Sequence, residues 1–373
     1  MDSTDVFVIG GGPAGLAAAI AARQQGFRVV VADGAKPPID KACGEALMPD
    51  AIAALEELGV ALSAGDARPL RGVRFLSSGL SAEADFPSDC DGLSIRRTVL
   101  HDILTERAAE LGADLLWQSA VTKISGDEVC LRDRRIRTSW IIGADGSNSR
   151  VRKWANLESH SSTGLRYSFR RHYCVKPWTD RMEIYWGKRG QAYMTAVNGE
   201  EICVAVASRQ PESRLERSLP DFPELNARLT GAEATSTERG ALTSNRKLKR
   251  VWRGNIALVG DASGTVDAIT GEGLGLSFRQ AVVLASSLRG GNLVRYQAAH
   301  RSLALRPLLM ARLMLTLDGR PRFQHRTLGV FRKHPEVFRR LLALHAGKLS
   351  PIHLAMDGLT LGWGMLTYCP NKP

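Results

Sequence analysis

Glycines near the amino terminus have the spacing of a dinucleotide site. Gly10, Gly12 and Gly15 fall in the run Gly-Gly-Gly-Pro-Ala-Gly, which follows a short apolar segment and precedes an alanine-rich one. The first glycine permits a tight turn, the second lets the backbone approach a pyrophosphate, and the third lets a helix pack on a strand. The free N–H groups at the start of that helix would face the phosphates. The pattern predicts a dinucleotide site contacted by Gly10, Gly12, Pro13, Ala14 and Gly15.

Asp33 places a carboxylate where the ribose of such a ligand needs an acceptor. A second apolar segment, residues 27–32, ends directly before it, about 20 residues beyond the glycine run. A strand, a glycine turn, a helix, a strand and an acid in this order are typical of a dinucleotide-binding unit on a parallel sheet. The unit alone does not distinguish NAD from FAD.

Two later segments point to FAD. Asp145 and Gly146 lie in the run Gly-Ala-Asp-Gly-Ser, and residues 255–275 contain Gly-Asp-Ala and Thr-Gly-Glu-Gly-Leu-Gly. The first run resembles the Asp-Gly motif of the p-hydroxybenzoate hydroxylase superfamily, and the second segment resembles its second FAD motif. All three motifs occur in the family's order and at its spacing. The chain is thus similar to the group A flavoprotein monooxygenases and their relatives, which include geranylgeranyl reductases and flavin halogenases.

The chemistry of the second FAD motif can be read from its residues. An apolar strand that ends in Gly-Asp places Asp261 at a strand tip, where it can accept hydrogen bonds from the ribityl chain of FAD. Gly271, Gly273 and Leu274 then open a helix whose free N–H groups would stabilise the negative charge of reduced flavin. An ordinary helix with Thr270 as its N-cap is the alternative.

Two further contacts are implied by the resemblance alone. It puts Arg97, at the start of a predicted helix, close to the FAD phosphates, and it puts the backbone of Val121 beside the adenine. A surface arginine is the alternative for Arg97.

The loop of residues 41–47 indicates to which branch of the family the chain is most similar. Its sequence, Lys-Ala-Cys-Gly-Glu-Ala-Leu, resembles the Lys-x-Cys-Gly loop of the geranylgeranyl-reductase-like branch, which adds Lys41, Cys43 and Gly44 to the implied FAD contacts. Cys43 could tune the flavin, face the substrate or be a small packed thiol. Glu45 could donate a proton near the site or be a carboxylate favoured at a helix start.

Residues 164–208 alternate with a period of two, and turn signals separate four segments. The pattern predicts an inserted antiparallel sheet, which in the family lies over the flavin and forms one wall of the substrate pocket. Core packing is the alternative for each aromatic residue, because the alternation does not show which face points inward. The aromatic candidates for the pocket wall are Tyr167, Phe169, Tyr173, Tyr185 and Tyr193.

The length of 373 residues predicts two to three domains. We expect an α/β fold with a Rossmann-type, glutathione-reductase-like FAD-binding domain, an inserted antiparallel β-sheet substrate domain and C-terminal helices. The predicted FAD-binding domain is discontinuous and comprises residues 1–75, 95–160 and 240–290. The substrate domain comprises residues 76–94 and 161–239, and the helical region comprises residues 291–373.

The net charge of +12 is concentrated near the carboxyl terminus, where residues 301–348 hold eleven Lys and Arg against two acids. The basic faces of the predicted helices could make peripheral contact with an anionic membrane, and a solvated surface is the alternative. Nucleic acid is not expected as a partner, because neither an aromatic single-strand platform nor zinc-knuckle spacing accompanies the charge.

The six cysteines lie far apart and form no Cys-x-x-Cys pair, so neither a disulfide framework nor a structural metal site is predicted. The acidic start of the chain is unlike a signal peptide. We therefore expect a cytoplasmic protein.

The motifs predict an FAD-dependent monooxygenase that acts on a hydrophobic phenolic or polyketide-like molecule. NAD(P)H would reduce the flavin, O2 would react with it, and an apolar pocket would protect the oxygenated form. Since there is one dinucleotide fingerprint, the nicotinamide would bind transiently. The sequence assigns no catalytic side chain.

Two alternatives remain at this point. A reductase of the same fold would add hydride and proton to a carbon–carbon double bond of a prenyl or other lipid-like substrate, with Cys43 and Glu45 near the reacting atoms. A protein of another class would be a membrane-associated flavin redox sensor without turnover. A halogenase is disfavoured, because Tyr-Trp-Gly-Lys at residues 185–188 does not match the Trp-x-Trp-x-Ile-Pro segment of those enzymes.

Overall fold

Three β-sheets and their flanking helices form the part of the chain that the computed structural model describes, residues 2–158 and 162–350. The strands are β1 (Asp2–Ile9), β2 (Val29–Ala32), β3 (Ala46–Leu47), β4 (Arg68–Leu70), β5 (Gly72–Ser77), β6 (Leu80–Asp85), β7 (Gly92–Ser94), β8 (Asp114–Leu116), β9 (Lys123–Ser125), β10 (Glu128–Cys130), β11 (Arg135–Gly143), β12 (Ser162–Cys174), β13 (Arg181–Trp186), β14 (Gly190–Ala196), β15 (Glu201–Ser208), β16 (Glu233–Ala234), β17 (Arg239–Arg246), β18 (Trp252–Arg253) and β19 (Ile256–Leu258).

The helices follow the strands in an α/β order through the first half of the chain. The α-helices are α1 (Pro13–Gln24), α2 (Pro49–Glu57), α3 (Arg97–Glu110), α4 (Arg150–Trp154), α5 (Leu215–Ser218), α6 (Pro223–Leu229), α7 (Gly273–Arg289), α8 (Leu293–Leu317), α9 (Pro321–Lys333) and α10 (Pro335–His345). Short 3-10 turns comprise Leu219–Asp221, Gly260–Ser263 and Ala268–Thr270.

The first sheet, here called the parallel sheet, has the strand order β8-β2-β1-β11-β19-β18, and a β9–β10 hairpin pairs with the start of β11. All strands from β8 to β19 in this order run parallel, and β18 closes the edge antiparallel to β19. The apolar runs of β1 and β2 are buried because helices cover the sheet. The carboxyl ends of β1, β2, β11 and β19 therefore meet at one edge, and the expected α/β class is confirmed.

The second sheet, here called the cover sheet, has the order β16-β12-β15-β14-β13-β5-β6, with β17 on β12. Four of its strands come from the segment predicted to be an antiparallel insertion. The exception to antiparallel pairing is β5, which lies parallel to β13. Because β5 precedes β13 by about a hundred residues, no tight hairpin constrains its direction. A small third sheet has the strand order β3-β7-β4.

The two faces of the cover sheet have different neighbours. One face packs against α9 and α10. The other face is covered by α5 and α6. Strand β5 also crosses the expected boundary at residue 75, and the division of the chain into domains remains a prediction.

Helices α8, α9 and α10 form the predicted helical region as far as His345, and residues 351–373 of that prediction lie outside the described residues. Among the residues described, no helix combines the length and the apolar character needed to cross a bilayer.

Phe338 joins the terminal helices to the cover sheet. Its ring stacks on Phe331 with centroids 4.5 Å apart, and it contacts Phe75 of β5 at 5.4 Å. Phe338→Ala should lower the free energy of unfolding by about 3–5 kcal/mol, because it leaves a cavity in a close-packed cluster. Chemical denaturation would measure the change. Phe323→Ala, at a ring that is 43% exposed, is the control and should stay within about 0.5 kcal/mol of wild type. Equal effects would contradict this packing role.

Candidate functional site

A cavity of about 560 Å³ lies between the carboxyl edge of the parallel sheet and the cover sheet. This volume is ordinary for a pocket that buries a small molecule. The cavity brings together residues that lie more than 250 positions apart in the sequence. Its lining includes these residues predicted from the motifs: Gly10, Gly12, Pro13, Ala14, Asp33, Lys41, Cys43, Gly44, Glu45, Arg97, Val121, Asp145, Gly146, Phe169, Tyr193, Asp261, Gly271, Gly273 and Leu274.

The glycine run leaves backbone open to the cavity. A Cβ on Gly12 would meet nothing within 4 Å, and Gly12 caps α1 with no side-chain hydrogen bond. A Cβ on Gly15 would lie 1.8 Å from the carbonyl oxygen of Gly10. Gly15 therefore does not line the cavity but lets α1 pack on the end of β1, as predicted. The open helix start at Gly12 fits a pyrophosphate.

Asp33 is held in place by the backbone of the same turn. Its Oδ2 accepts from the N–H of Gly11 at 2.7 Å, and its Oδ1 accepts from the N–H of Ala35 at 2.7 Å. A carboxylate has about four acceptor positions, so ribose hydroxyls can still bind.

His101 supports this turn and was not found from the sequence. Its Nε2 lies 2.9 Å from the carbonyl oxygen of Gly11, and the side chain is fully buried. Burial lowers the pKa of His101, so the ring is neutral and can donate one N–H to this carbonyl. No local pattern could have signalled the contact, because the partners are 90 residues apart.

Arg97 and Asp145 have different roles in the cavity wall. The Nε of Arg97 is buried and lacks a hydrogen-bond partner among the described residues. A guanidinium that lines a cavity and has a buried N–H without a partner can bind an anionic group such as a phosphate. Asp145 accepts from the N–H groups of Arg150 at 2.6 Å and Val151 at 3.1 Å, so it also caps the start of α4.

Lys41 and Asp261 form an ion pair across the cavity wall. The distance from Lys41 Nζ to Asp261 Oδ2 is 3.0 Å, and each side chain is 41% exposed. An exposed pair of this kind contributes about 0–1 kcal/mol. The pair can therefore be exchanged at small cost for contacts with a ribityl chain. The sequence predicted both residues as ligand contacts but did not predict their mutual contact.

The start of α7 presents free N–H groups to the cavity. Gly271 has a φ of +71°, and a Cβ on Gly271 or Gly273 would meet nothing within 4 Å. Glu272 precedes the helix as its N-cap residue and makes no side-chain cap. The alternative of Thr270 as the N-cap of this helix is wrong, because Thr270 ends the preceding 3-10 turn. This helix start fits the negatively charged edge of a reduced flavin.

Glu45 adopts a backbone conformation that glutamate rarely takes. Its φ is +59°, which costs about 1–3 kcal/mol for a residue with a side chain. Two bonds hold it there: Oε1 accepts from the N–H of Arg97 at 3.0 Å, and Oε2 lies 2.7 Å from His172 Nε2. The carboxylate and the imidazole are both almost completely buried.

Further polar groups surround this pair. Arg170 Nη1 lies 3.3 Å from His172 Nδ1, and its Nη2 bonds Asp40. Ser236 Oγ lies 2.8 Å from His172 Nδ1. Arg170, His172 and Ser236 were not predicted from the sequence. The alternation of Arg170 and His172 on one face of β12 was the available signal, but it did not show that this face points toward Glu45.

Glu45, His172 and Cys203 bring their ligand atoms within 4.8 Å of one another, yet they do not fit a metal ion. Burial raises the pKa of the Cys203 thiol well above its ordinary value, so the thiolate ligand is disfavoured. Arg170 Nη2 also lies 4.0 Å from Glu45 and would repel a cation.

Of the aromatic candidates, Tyr193 faces the cavity, and its hydroxyl donates to the carbonyl oxygen of Ile269 at 3.1 Å. Tyr173 and Tyr185 do not line the cavity, because they point to the opposite face and pack with α5 and α6. Tyr167 shares that face through the two-residue period of β12. Phe169 lies at the rim, where it lines the cavity and also packs against the opposite cluster.

Comparison with known families agrees with the motifs. A family model described as an FAD binding domain matches residues 3–291. The donor set and the open glycine backbones described above fit FAD. Residues at the motif positions would hold its pyrophosphate, ribose and ribityl groups.

Two named relatives are reductases. The chain is 28% identical over 349 residues to a menaquinone reductase of Mycolicibacterium smegmatis, which covers 86% of this chain and 85% of the relative. It is 24% identical over 297 residues to a digeranylgeranylglycerophospholipid reductase of Methanococcus vannielii, with 74% of each chain covered.

Solved structures share the fold at lower identity. A flavoprotein/dehydrogenase of Cytophaga hutchinsonii matches with a TM-score of 0.83 and 19% identity over 98% of both chains. PqsL of Pseudomonas aeruginosa, described as a probable FAD-dependent monooxygenase, matches with a TM-score of 0.70 and 21% identity, covering 92% of this chain and 99% of the other.

Gly12 and Gly15 should respond differently to the same substitution. Gly15→Ala should lower the melting temperature of the FAD-free protein, because the new methyl group collides with the Gly10 carbonyl. Gly12→Ala should leave that melting temperature almost unchanged but weaken FAD binding at least about tenfold, because its methyl group enters the space for the pyrophosphate. Thermal unfolding without FAD and fluorescence titration with FAD would separate the two effects. A Gly12→Ala variant with wild-type FAD affinity would contradict the assignment.

Proposed function

This chain belongs to the FAD binding domain family and is an FAD-dependent oxidoreductase of the p-hydroxybenzoate hydroxylase superfamily. From this we propose that it reduces a carbon–carbon double bond of an isoprenoid or other lipid-like substrate. NAD(P)H is the proposed source of electrons. The names of the relatives support this reaction over the monooxygenase expected from the motifs, because both relatives are reductases. Menaquinone and geranylgeranyl lipids share an isoprenoid chain, which suggests the substrate class.

The observation that carries the proposal is the composition of the cavity at the cover sheet. Met182, Ala205, Ala207, Ile269 and the ring of Tyr193 line this end. Such a lining favours an apolar chain and excludes water from it. Cys43 and Glu45 lie in the wall of the same cavity, so a thiol and a carboxyl group are available beside an apolar substrate.

Each part of the proposed reaction has a group to serve it. FAD, when bound and reduced, supplies a hydride to one carbon of the double bond. The N–H groups at the start of α7 stabilise negative charge at the flavin edge. The apolar wall holds the substrate away from bulk water, and Glu45 is the proposed donor of the proton that the second carbon takes.

Anaerobic turnover tests this reaction. FAD-loaded protein, reduced with NAD(P)H without oxygen, is mixed with geranylgeranyl diphosphate or a menaquinone. We expect the flavin absorbance to return as the substrate is consumed, and mass spectrometry with fragmentation to show that the isoprenoid chain of the product has gained two hydrogen atoms.

Other outcomes would favour the other candidate functions. Reoxidation that requires oxygen and gives a hydroxylated product would support the monooxygenase. Reduction by NAD(P)H with no transfer to any organic acceptor would support the redox sensor.

We also propose that the terminal helices contact an anionic membrane. Leu305 is 67% exposed and Leu313 is 38% exposed, and both lie on one stripe of α8 with the exposed Arg312. Arg320 and Phe323, which follow the end of α8 in the sequence, are also exposed. Exposed apolar side chains beside cationic ones match the interface of an anionic bilayer. Such a contact would bring a lipid-like substrate to the protein.

Liposome co-sedimentation tests this surface. We expect binding that rises with the phosphatidylserine content and falls with salt, and a clear loss of binding in the double variant Arg312→Glu/Arg320→Glu, because each basic residue near the surface contributes about 1 kcal/mol. Arg132→Glu, at an exposed arginine between β10 and β11, is the control for a charge reversal outside the terminal helices. Sedimentation that ignores the anionic lipid content would refute the contact.

A further inference from the structure

Three hydrogen-bonding groups lead from the cavity wall toward the protein surface. Glu45 lines the cavity, and its Oε2 lies 2.7 Å from His172 Nε2. His172 Nδ1 lies 2.8 Å from Ser236 Oγ. Glu45 and His172 are buried, whereas Ser236 lies between β16 and β17 and is partly exposed. The three side chains thus form one continuous path between the cavity and solvent.

The surrounding donors set the tautomer of His172. Arg170 Nη1 lies 3.3 Å from Nδ1, and an arginine side chain can only donate. Nδ1 is therefore the acceptor, and the ring hydrogen is on Nε2, where it points to Glu45. Ser236 Oγ accepts from the backbone N–H of His172 at 3.0 Å, and its own O–H shares the single lone pair of Nδ1 with Arg170. The hydrogens of Ser236 and His172 consequently point toward Glu45.

We propose that Glu45, His172 and Ser236 form a proton relay that carries a proton from solvent to the cavity, where Glu45 delivers it to the substrate carbon. This inference rests on the proposed reduction of a double bond. Glu45 is the group that meets the substrate, and His172 and Ser236 act through it.

One proton and no electrons pass along the relay in each turnover. The O–H bond of Glu45 breaks as a C–H bond forms on the substrate. The Nε2 hydrogen of His172 then passes to Glu45, the Ser236 hydroxyl proton passes to Nδ1, and water restores the hydroxyl. The hydrogen stays on Nδ1 when the ring rotates, so the side chain must reorient until Nδ1–H faces Glu45 and Nε2 faces Ser236, and the two ring nitrogens exchange roles in the next turnover. The two electrons arrive with the hydride from reduced FAD, which NAD(P)H regenerates.

Most of the charged side chains around the relay are paired. Arg170 Nη2 lies 4.0 Å from Glu45 Oε1 and bonds Asp40. Arg96 pairs with Glu201 at 2.6 Å on the side of His172. The thiol of Cys203 completes the buried surroundings, and Cys43 Sγ accepts from the Glu45 N–H at 3.4 Å. Arg97, whose backbone N–H bonds Glu45, is the exception, because its buried Nε has no hydrogen-bond partner among the described residues.

Anaerobic stopped-flow kinetics of the FAD-loaded protein tests the relay. The reduced protein is mixed with geranylgeranyl diphosphate in H2O and in D2O, for wild type, His172→Gln and Ser236→Ala. Glutamine keeps an N–H donor for Glu45 but cannot relay a proton. We expect reoxidation of the flavin by the substrate to slow about 100-fold in His172→Gln, which is within the range for loss of acid catalysis, and about tenfold in Ser236→Ala.

Steps that need no proton from Glu45 serve as internal controls. The rate of flavin reduction by NAD(P)H and the affinity for FAD should stay within about twofold of wild type in both variants. Ser81→Ala, at an exposed serine of β6, is the matched control for the loss of a hydroxyl and should not change any of these rates. A solvent isotope effect on reoxidation should be present in wild type and altered in Ser236→Ala.

The outcomes separate the relay from the reaction it serves. Substrate-driven reoxidation at the wild-type rate in both variants would overturn the relay and leave double-bond reduction standing. Failure of wild type to be reoxidised by geranylgeranyl diphosphate or a menaquinone would overturn both. If His172→Gln loses FAD or unfolds, the reoxidation rate of Ser236→Ala tests the relay alone. The hydroxyl of Ser236 is partly exposed, so its removal leaves no buried cavity.

Discussion

The contact between α1 and the end of β1 is the constraint on which the site depends. The carbonyl oxygen of Gly10 lies so close to Gly15 that no side chain fits between them, and Gly10 itself lies against Ala144 at the end of β11. Because of these contacts, the start of α1 and the carboxyl ends of β1 and β11 lie at the same edge of the parallel sheet. The acids and glycines that follow those strands consequently meet in one cavity, although they come from distant parts of the chain.

The cover sheet completes the cavity with buried charge. Arg166 and Arg170 of β12 are almost completely buried. Unpaired charges there would cost several kcal/mol each, so acids from other segments neutralise them. Arg166 bonds Asp318 at 2.6 Å, and Arg170 bonds Asp40. The polar face of this strand therefore fixes how the cover sheet sits on the loop that carries Cys43 and Glu45.

The sequence predicted those parts of the site that local chain geometry determines. A strand, a glycine turn and a helix start have defined spacings, so residues such as Gly12, Asp33 and Asp261 could be assigned before the fold was known. The inward face of a strand could not, because alternation gives two faces without saying which is covered. Tyr193 and Tyr185 are equivalent in pattern, yet only Tyr193 meets the cavity. The partners of Glu45 could not be predicted from the sequence either, because no local pattern connects it to His172, which lies 127 residues away.

The left-handed backbone of Glu45 bears on how such a site evolves. Glycine would adopt this conformation without strain, so selection for stability alone would favour glycine here. A glutamate at this position gives up part of the folding free energy to keep a carboxyl group in the cavity wall. Proteins carry such locally unfavourable choices mainly where function requires them. Position 45 therefore distinguishes two kinds of descendant. Descendants that keep the proposed reaction are expected to retain glutamate at this position, and descendants that keep only the fold can replace it with glycine.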